Sequence, residues 1–261
     1  MNRAMYAVMK KDFRGIISNR RLFLELLIVP LILTIVLPSI FVVAIHFAPD
    51  DPDILKMLEL LPQGSRTGGV EMAVTGLILN YILPVFFLMI PIMTASIMAA
   101  SSFVGEKEKH TLETLLYCPL SVKQIFQAKV LASFLFSMMV ALISFAAMII
   151  VLEMEAFFIM DRLIMPAAGW IVILCLLSPS ISLITVTLIV RGSAKAQSAE
   201  ESQQGAVFLI VPLILLVAGQ FAGVMLLNVW ILLGLGVLCA LLAWMLLHKA
   251  VRRFTYEMLL K

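Results

Sequence analysis

The sequence predicts an all-α integral membrane protein with six transmembrane helices, and three observations carry that expectation. First, 62% of the 261 residues are hydrophobic and only 13% are charged, against roughly 45–50% and about 25% in soluble domains. Second, the charge-free stretches are long enough to cross a hydrocarbon core, which takes about 20 apolar residues each. Third, the basic residues gather beside those stretches, as topology and headgroup signals do. The same distribution argues against nucleic acid as a partner, because no basic stripe with interleaved stacking aromatics is present. A single transmembrane domain fills residues 1–261 and leaves no room for a sizeable soluble one.

Residues 4–17 come first. They place Tyr6, Met9, Phe13, Ile16 and Ile17 on one helical face, with Lys11 opposite and Arg3, Lys10 and Arg14 on the flank. This pattern reads as an amphipathic helix lying in the membrane interface, in contact with lipid. Asn19 is placed to start the turn into the first span. The N-terminus offers no short apolar region with a small-residue cleavage site, so the first span is expected to stay in the mature chain.

The spans fall at about 22–47, 74–104, 127–152, 163–190, 204–222 and 228–248. The second stretch exceeds one crossing but falls short of two, with Pro84 and Pro91 as kinks. Hydroxyls or neighbouring helices are expected to satisfy the carbonyls that those prolines free. Gly219 to Gly223 and Asn228 mark the turn between the last two spans. An even count puts both termini on one side, and both ends are basic, as are the loops carrying Lys107, Lys109, Lys123, Lys129, Arg191 and Lys195. By the positive-inside rule that side is the cytoplasm, and the protein is expected to be multi-pass in the cell membrane.

The loop between the second and third spans is the most informative segment. Leu112, Leu115 and Leu116 stand at i, i+3, i+4 on one stripe, and Glu106, Lys109 and Glu113 lie on another. Pro119 ends this short helix. Ser121-Val122-Lys123-Gln124 then matches a capping box, with Leu120 and Ile125 placed as a hydrophobic staple. On spacing alone, a solvated salt-bridged loop is an equal alternative to a helix–corner–helix that converts a push into movement of two spans.

The run Glu106-Lys107-Glu108-x-x-Thr111-Leu112-Glu113-x-Leu115-Leu116-x-x-Pro119-Leu120-Ser121, followed by Lys129, resembles the cytoplasmic signature of type-2 ABC exporter permeases. The order of features is similar across the chain: interfacial helix, Arg20 and Arg21, Pro30 within the first span, then the signature. The resemblance implies a non-catalytic membrane subunit of an ATP-driven exporter, with a cytoplasmic coupling helix between spans 2 and 3. It implies ATP and magnesium on a partner ATPase subunit, no cofactor on this chain, and a second permease copy or homologous permease. It also implies that Glu106, Glu108 and Glu113 make polar contacts with the ATPase, that Leu112, Leu115 and Leu116 fill the docking surface alongside Thr111, and that Pro119 and Ser121 fix the corner. His110 departs from the family pattern, which commonly has glycine there.

Other features carry less. Ser178, Ser182 and Thr185 at i, i+4, i+7 are compatible with a polar translocation path, although membrane hydroxyls more often bond a backbone carbonyl or a neighbouring helix. Glu25 is expected beside Arg20 and Arg21 at the span boundary. Arg191 to Gly205 is either a second contact on that face or a flexible loop, and its small polar composition favours the loop. Cys118, Cys175 and Cys239 and the scattered histidines have no metal-ligand spacing, and no Walker-type phosphate loop is present. Two rival functions remain. An ion-gradient-driven secondary transporter predicts inverted repeats and a midplane ionisable group. An intramembrane enzyme would need a base and an orienting partner beside Ser178 or Glu200 and Glu201.

Overall fold

The computed structural model describes residues 3–48, 51–52, 70–108, 120–161, 164, 166–193, 196, 198–221 and 228–253. Among these residues the protein is built of helices, with no strand. Six are long and apolar enough to cross a membrane: Arg20–Phe47, Val70–Glu108, Val122–Ile159, Gly169–Ser193, Ala199–Gln220 and Val229–Arg252, called spans 1 to 6 below. Several run past the expected apolar stretches into polar flanks. Span 3 is 38 residues long.

The N-terminal helix Arg3–Ser18 is separated from span 1 by Asn19, whose extended backbone and side chain cap the next helix at Leu22. Arg21 Nε lies 3.1 Å from Glu25 Oε1, which accounts for that boundary carboxylate. Span 3 begins at Ser121 as the sequence indicates. Ser121 Oγ accepts from the Gln124 N–H (3.3 Å), and Gln124 Oε1 accepts from the Ser121 N–H (3.0 Å). Leu120 and Ile125 are both buried beside this reciprocal cap. Span 3 ends at Asp161, at φ 54°, a left-handed conformation that aspartate visits more readily than most residues.

The prolines reshape three spans in the same way. Span 1 has a π turn at Ile32–Val36 before Pro38, span 2 one at Ile78–Ile82 before Pro84, and span 4 one at Ile173–Leu177 before Pro179. Each turn begins six residues before its proline, within Ile32-Leu33-Thr34-Ile35-Val36-Leu37-Pro38, Ile78-Leu79-Asn80-Tyr81-Ile82-Leu83-Pro84 and Ile173-Leu174-Cys175-Leu176-Leu177-Ser178-Pro179. The residue before each proline sends its N–H five residues back, to Ile32, Ile78 or Ile173. Widening the turn makes room for a ring that would otherwise strike the carbonyl four residues earlier. In spans 1 and 4 a hydroxyl also bonds into the turn, at the carbonyl three residues before the proline: Ser39 Oγ donates to the Ile35 carbonyl and Ser180 Oγ to that of Leu176.

Span 2 is the axis of the molecule. Of its most apolar stretch 78% is buried, against 28% for span 1, 22% for span 5 and 17% for span 6. It packs mainly against spans 3 and 4, and the N-terminal helix packs against span 3. Span 6 comes close to span 4 at Gly236, where an added Cβ would meet Leu176 Cδ2 at 2.6 Å. Phe87 meets Phe145 and Trp170 edge to face and Phe145 lies tilted against Trp170, so the three rings join spans 2, 3 and 4 with centroids 5.1 to 6.0 Å apart.

Candidate functional site

The end of the bundle that carries both termini holds a buried ionic node. Lys129, about two turns into span 3, is only 2% exposed, a burial that an ammonium group tolerates only when fully bonded. It is bonded: Nζ lies 2.8 Å from Glu106 Oε2, donates to the Ser102 carbonyl, and reaches Ser102 Oγ at 3.3 Å. The Phe103 ring lies below it, 5.2 Å to the centroid. Three donors thus meet three oxygens, which is the full capacity of a lysine.

Glu106, itself 7% exposed, uses its second oxygen to accept from Lys11 of the N-terminal helix at 2.6 Å. Asp12, next in that helix, accepts from Ser102 Oγ at 2.7 Å. The N-terminal helix, the end of span 2 and the start of span 3 are therefore tied through two side chains of span 2, Ser102 and Glu106. A cavity of about 170 Å³ opens beside them, lined by Lys11, Asp12, Ser101, Ser102 and Glu106 among others.

Burial pushes the Asp12 carboxyl above its ordinary range, and the Glu106 charge adds to this; Lys129, the Ser102 hydroxyl and Lys11 pull the other way. A folded-state value above the unfolded one means that the folded chain holds more protons in the interval between them. Stability from this group is therefore fully present below the unfolded value of 3.8 and is lost as pH rises through the raised one. Asp12→Asn, which keeps an acceptor for Ser102, is expected to be more stable than the parent at pH 8, with the difference closing on acidification. Thermal midpoints across pH check this, and a gap that widens in acid would refute it.

A second contact lies beside the first. Glu108 Oε1 accepts from the Ala199 N–H at 2.9 Å. Ser198 Oγ accepts from the Glu201 N–H at 3.1 Å. These two caps satisfy orphan amides of the short helix Ala199–Gln203. The expected flexible loop over Arg191 to Gly205 is thus in part a helix fastened to the end of span 2, with Ser202 and Ala206 buried.

The remaining expected residues distribute as follows. Glu106 turns inward onto two lysines of its own chain, whereas Glu108 is exposed and Ser121 caps span 3. Thr111, Leu112, Glu113, Leu115, Leu116 and Pro119 lie outside the described residues. On the N-terminal helix, Met9 and Ile16 are buried and Phe13 packs on Phe136 (5.3 Å). Tyr6 and Ile17, placed on the same face by the sequence, are exposed, as are Lys10 and Arg14. Val8 and Asp12 complete the inward side instead.

Ser178, Ser182 and Thr185 are each 0% exposed, packed within the chain. Thr185 Oγ1 donates to the Ile181 carbonyl (2.8 Å), and Ser182 shares a hydrogen bond with Ser137 of span 3. Ser133 and Ser144 of span 3 are also fully buried, and the Ser137–Ser182 bond shows that small polar side chains can meet where spans 3 and 4 approach. No group of three or more His, Cys, Asp or Glu side chains with metal-binding geometry occurs among the described residues.

The node was not legible from local spacing, because its partners are 27 and 95 residues apart. The signals available were a lysine and a glutamate, each within a turn or two of an apolar stretch.

A search of curated proteins found no match to this chain. The family model described as ABC-2 family transporter protein matches residues 6–247, from the N-terminal helix into span 6. That range takes in the residues of the node, the segment leaving it, spans 1 to 5 and most of span 6, so the chain belongs to the ABC-2 family of transporter proteins and is a multi-pass membrane permease.

Proposed function

We propose that this chain is the membrane-spanning subunit of an ATP-driven exporter, and that residues 106–121 couple it to a separate ATPase subunit. ATP and magnesium belong to that partner, and this chain contributes no cofactor. The observation that carries the reading is the position of the segment. It leaves span 2 just past Glu106 and Glu108 and rejoins at the Ser121 cap, between two helix ends that Glu106 and Lys129 cross-tie. A push on such a segment reaches spans 2 and 3 together, and through Lys11 the N-terminal helix.

In this reading Leu112, Leu115 and Leu116 seat in the ATPase with Thr111 beside them, Glu108 and Glu113 make polar contacts, and Pro119 and Ser121 hold the corner. Glu106 anchors the segment from inside. Both termini face the cytoplasm of a cell membrane, and a second permease copy or a homologous permease completes the path. ATP drives the cycle only if closure of the ATPase favours one permease conformation over the other.

Affinity purification in mild detergent from the native host tests this. The parent chain is expected to retain an ATPase subunit, and Leu112→Asp with Leu115→Asp to release it while the thermal midpoint stays unchanged. An intact preparation that never retains an ATPase would overturn the proposal.

A further inference from the structure

The far end of the bundle contains a second junction, and it is centred on the π turn of span 2. Leu83 sends its N–H to Ile78, and Pro84 has none, so the Leu79 carbonyl has no donor within its own helix. Trp170 of span 4 supplies one: its Nε1–H donates to the Leu79 carbonyl at 3.0 Å. The next two residues are held as well. Asn80 Oδ1 accepts from the Ala167 N–H at 2.7 Å, and Gln220 Nε2 at the end of span 5 donates to the Tyr81 carbonyl at 2.8 Å. Trp170 and Gln220 are 2% and 1% exposed. The freed carbonyl of span 2 is thus bonded by span 4, and the carbonyl two residues on by span 5.

Past this clamp the helix breaks again at Leu88, before Pro91, and then runs unbroken from Met89 to Glu108. From Met89 to the node, span 2 is therefore an unbroken, mostly buried helical rod. From Leu88 to Glu106 it measures about 27 Å, so a tilt of about 10° at the break carries the Glu106 end roughly 5 Å. Proline sites and π turns are where helices bend.

We infer that residues 78–88 are the fulcrum of span 2: the π turn is held fixed by Trp170, Asn80 and Gln220, and Met89–Glu108 swings about it. Movement at the node is thereby converted into reorientation of the buried face of span 2 against spans 3 and 4. The inference concerns the bending of this chain alone and holds whether or not an ATPase is the source of the push.

Two measurements test it, on the full chain in lipid nanodiscs. With Cys118, Cys175 and Cys239 replaced by alanine, spin labels at Lys107→Cys and Leu135→Cys report the swing of the rod against span 3. The distance distribution is expected to narrow in Pro84→Ala, which restores a donor and a regular turn, and to broaden in Gln220→Leu, which loosens the clamp. Identical distributions in all three chains would overturn the fulcrum. In the second measurement, Trp170→Phe is expected to lower the thermal midpoint in the parent and by clearly less in Pro84→Ala, where the Leu79 carbonyl regains a donor from its own helix. An equal loss in both backgrounds would show that the carbonyl is not freed by the proline, and would also overturn it.

Discussion

Glu106→Ala is expected to destabilise the protein by about 3–5 kcal/mol, because it leaves Lys129 as a buried cation without its carboxylate. Lys129 then retains the Ser102 carbonyl and hydroxyl and the Phe103 ring, none of which carries a charge. Lys11→Ala should cost about 1 kcal/mol at most, since that side chain is 54% exposed and its pairing is screened. The informative variant is the double one. Glu106→Leu with Lys129→Met removes both charges and fills similar volume, a change that is often neutral. Its stability is expected to lie well above the sum of the two single losses. Denaturation in detergent measures all four corners of the cycle; additive losses would mean that the two side chains are neighbours without being partners.

Trp170→Ala is expected to cost a comparable amount, about 3–5 kcal/mol, the usual range for emptying a buried aromatic site. Three contributions are lost together: the buried volume of the indole, its ring contacts with Phe87 and Phe145, and the donor for Leu79. The effect has a convenient optical signature. Of the three tryptophans, Trp230 and Trp244 are 78% and 67% exposed, so Trp170 is the one in a buried site. The variant is expected to lose the indole absorbing and emitting from the packed interior while its helix content is preserved up to a lower melting temperature. A variant with unchanged melting would show that the cluster does not hold spans 2, 3 and 4 together.

Features set by a few adjacent residues were readable in the sequence. The Ser121–Gln124 cap, the Asn19 boundary and the Arg21–Glu25 neighbourhood all follow from offsets of three or four. The six crossings follow from composition, since a bilayer accepts few alternatives. The helix at Ala199–Gln203 was also open to reading, because Ser198-Ala199-Glu200-Glu201 carries the spacing of a capping box. Its small polar composition pointed to a loop instead. The cost of leaving helix amides unbonded, and the reach of Glu108, decided otherwise.

The inward turn of Glu106 had no such signal: on a helical wheel it shares a polar face with Lys109 and Glu113, and only the arrival of Lys129 from another helix gives its charge a reason to be buried. Asp12 did carry one, since Val8 and Ile16, four residues before and after it, are both buried. The recurrent Ile-Leu-x-x-x-x-Pro heptads of spans 1, 2 and 4 were visible, but their meaning was not. A proline marks where a helix is disturbed; whether the disturbance becomes a bend, a break or a widened turn depends on which neighbour takes the freed carbonyl.

At 38 residues, span 3 is about 57 Å tall, whereas a bilayer with its headgroups measures about 40–45 Å. Fitting it between the two water boundaries takes a slant of roughly 40°, and anything less leaves a mast standing in solvent. Lys129 stands near the lower end of that helix, so whatever lean span 3 takes sets the angle at which it meets span 2 at the Glu106 pairing.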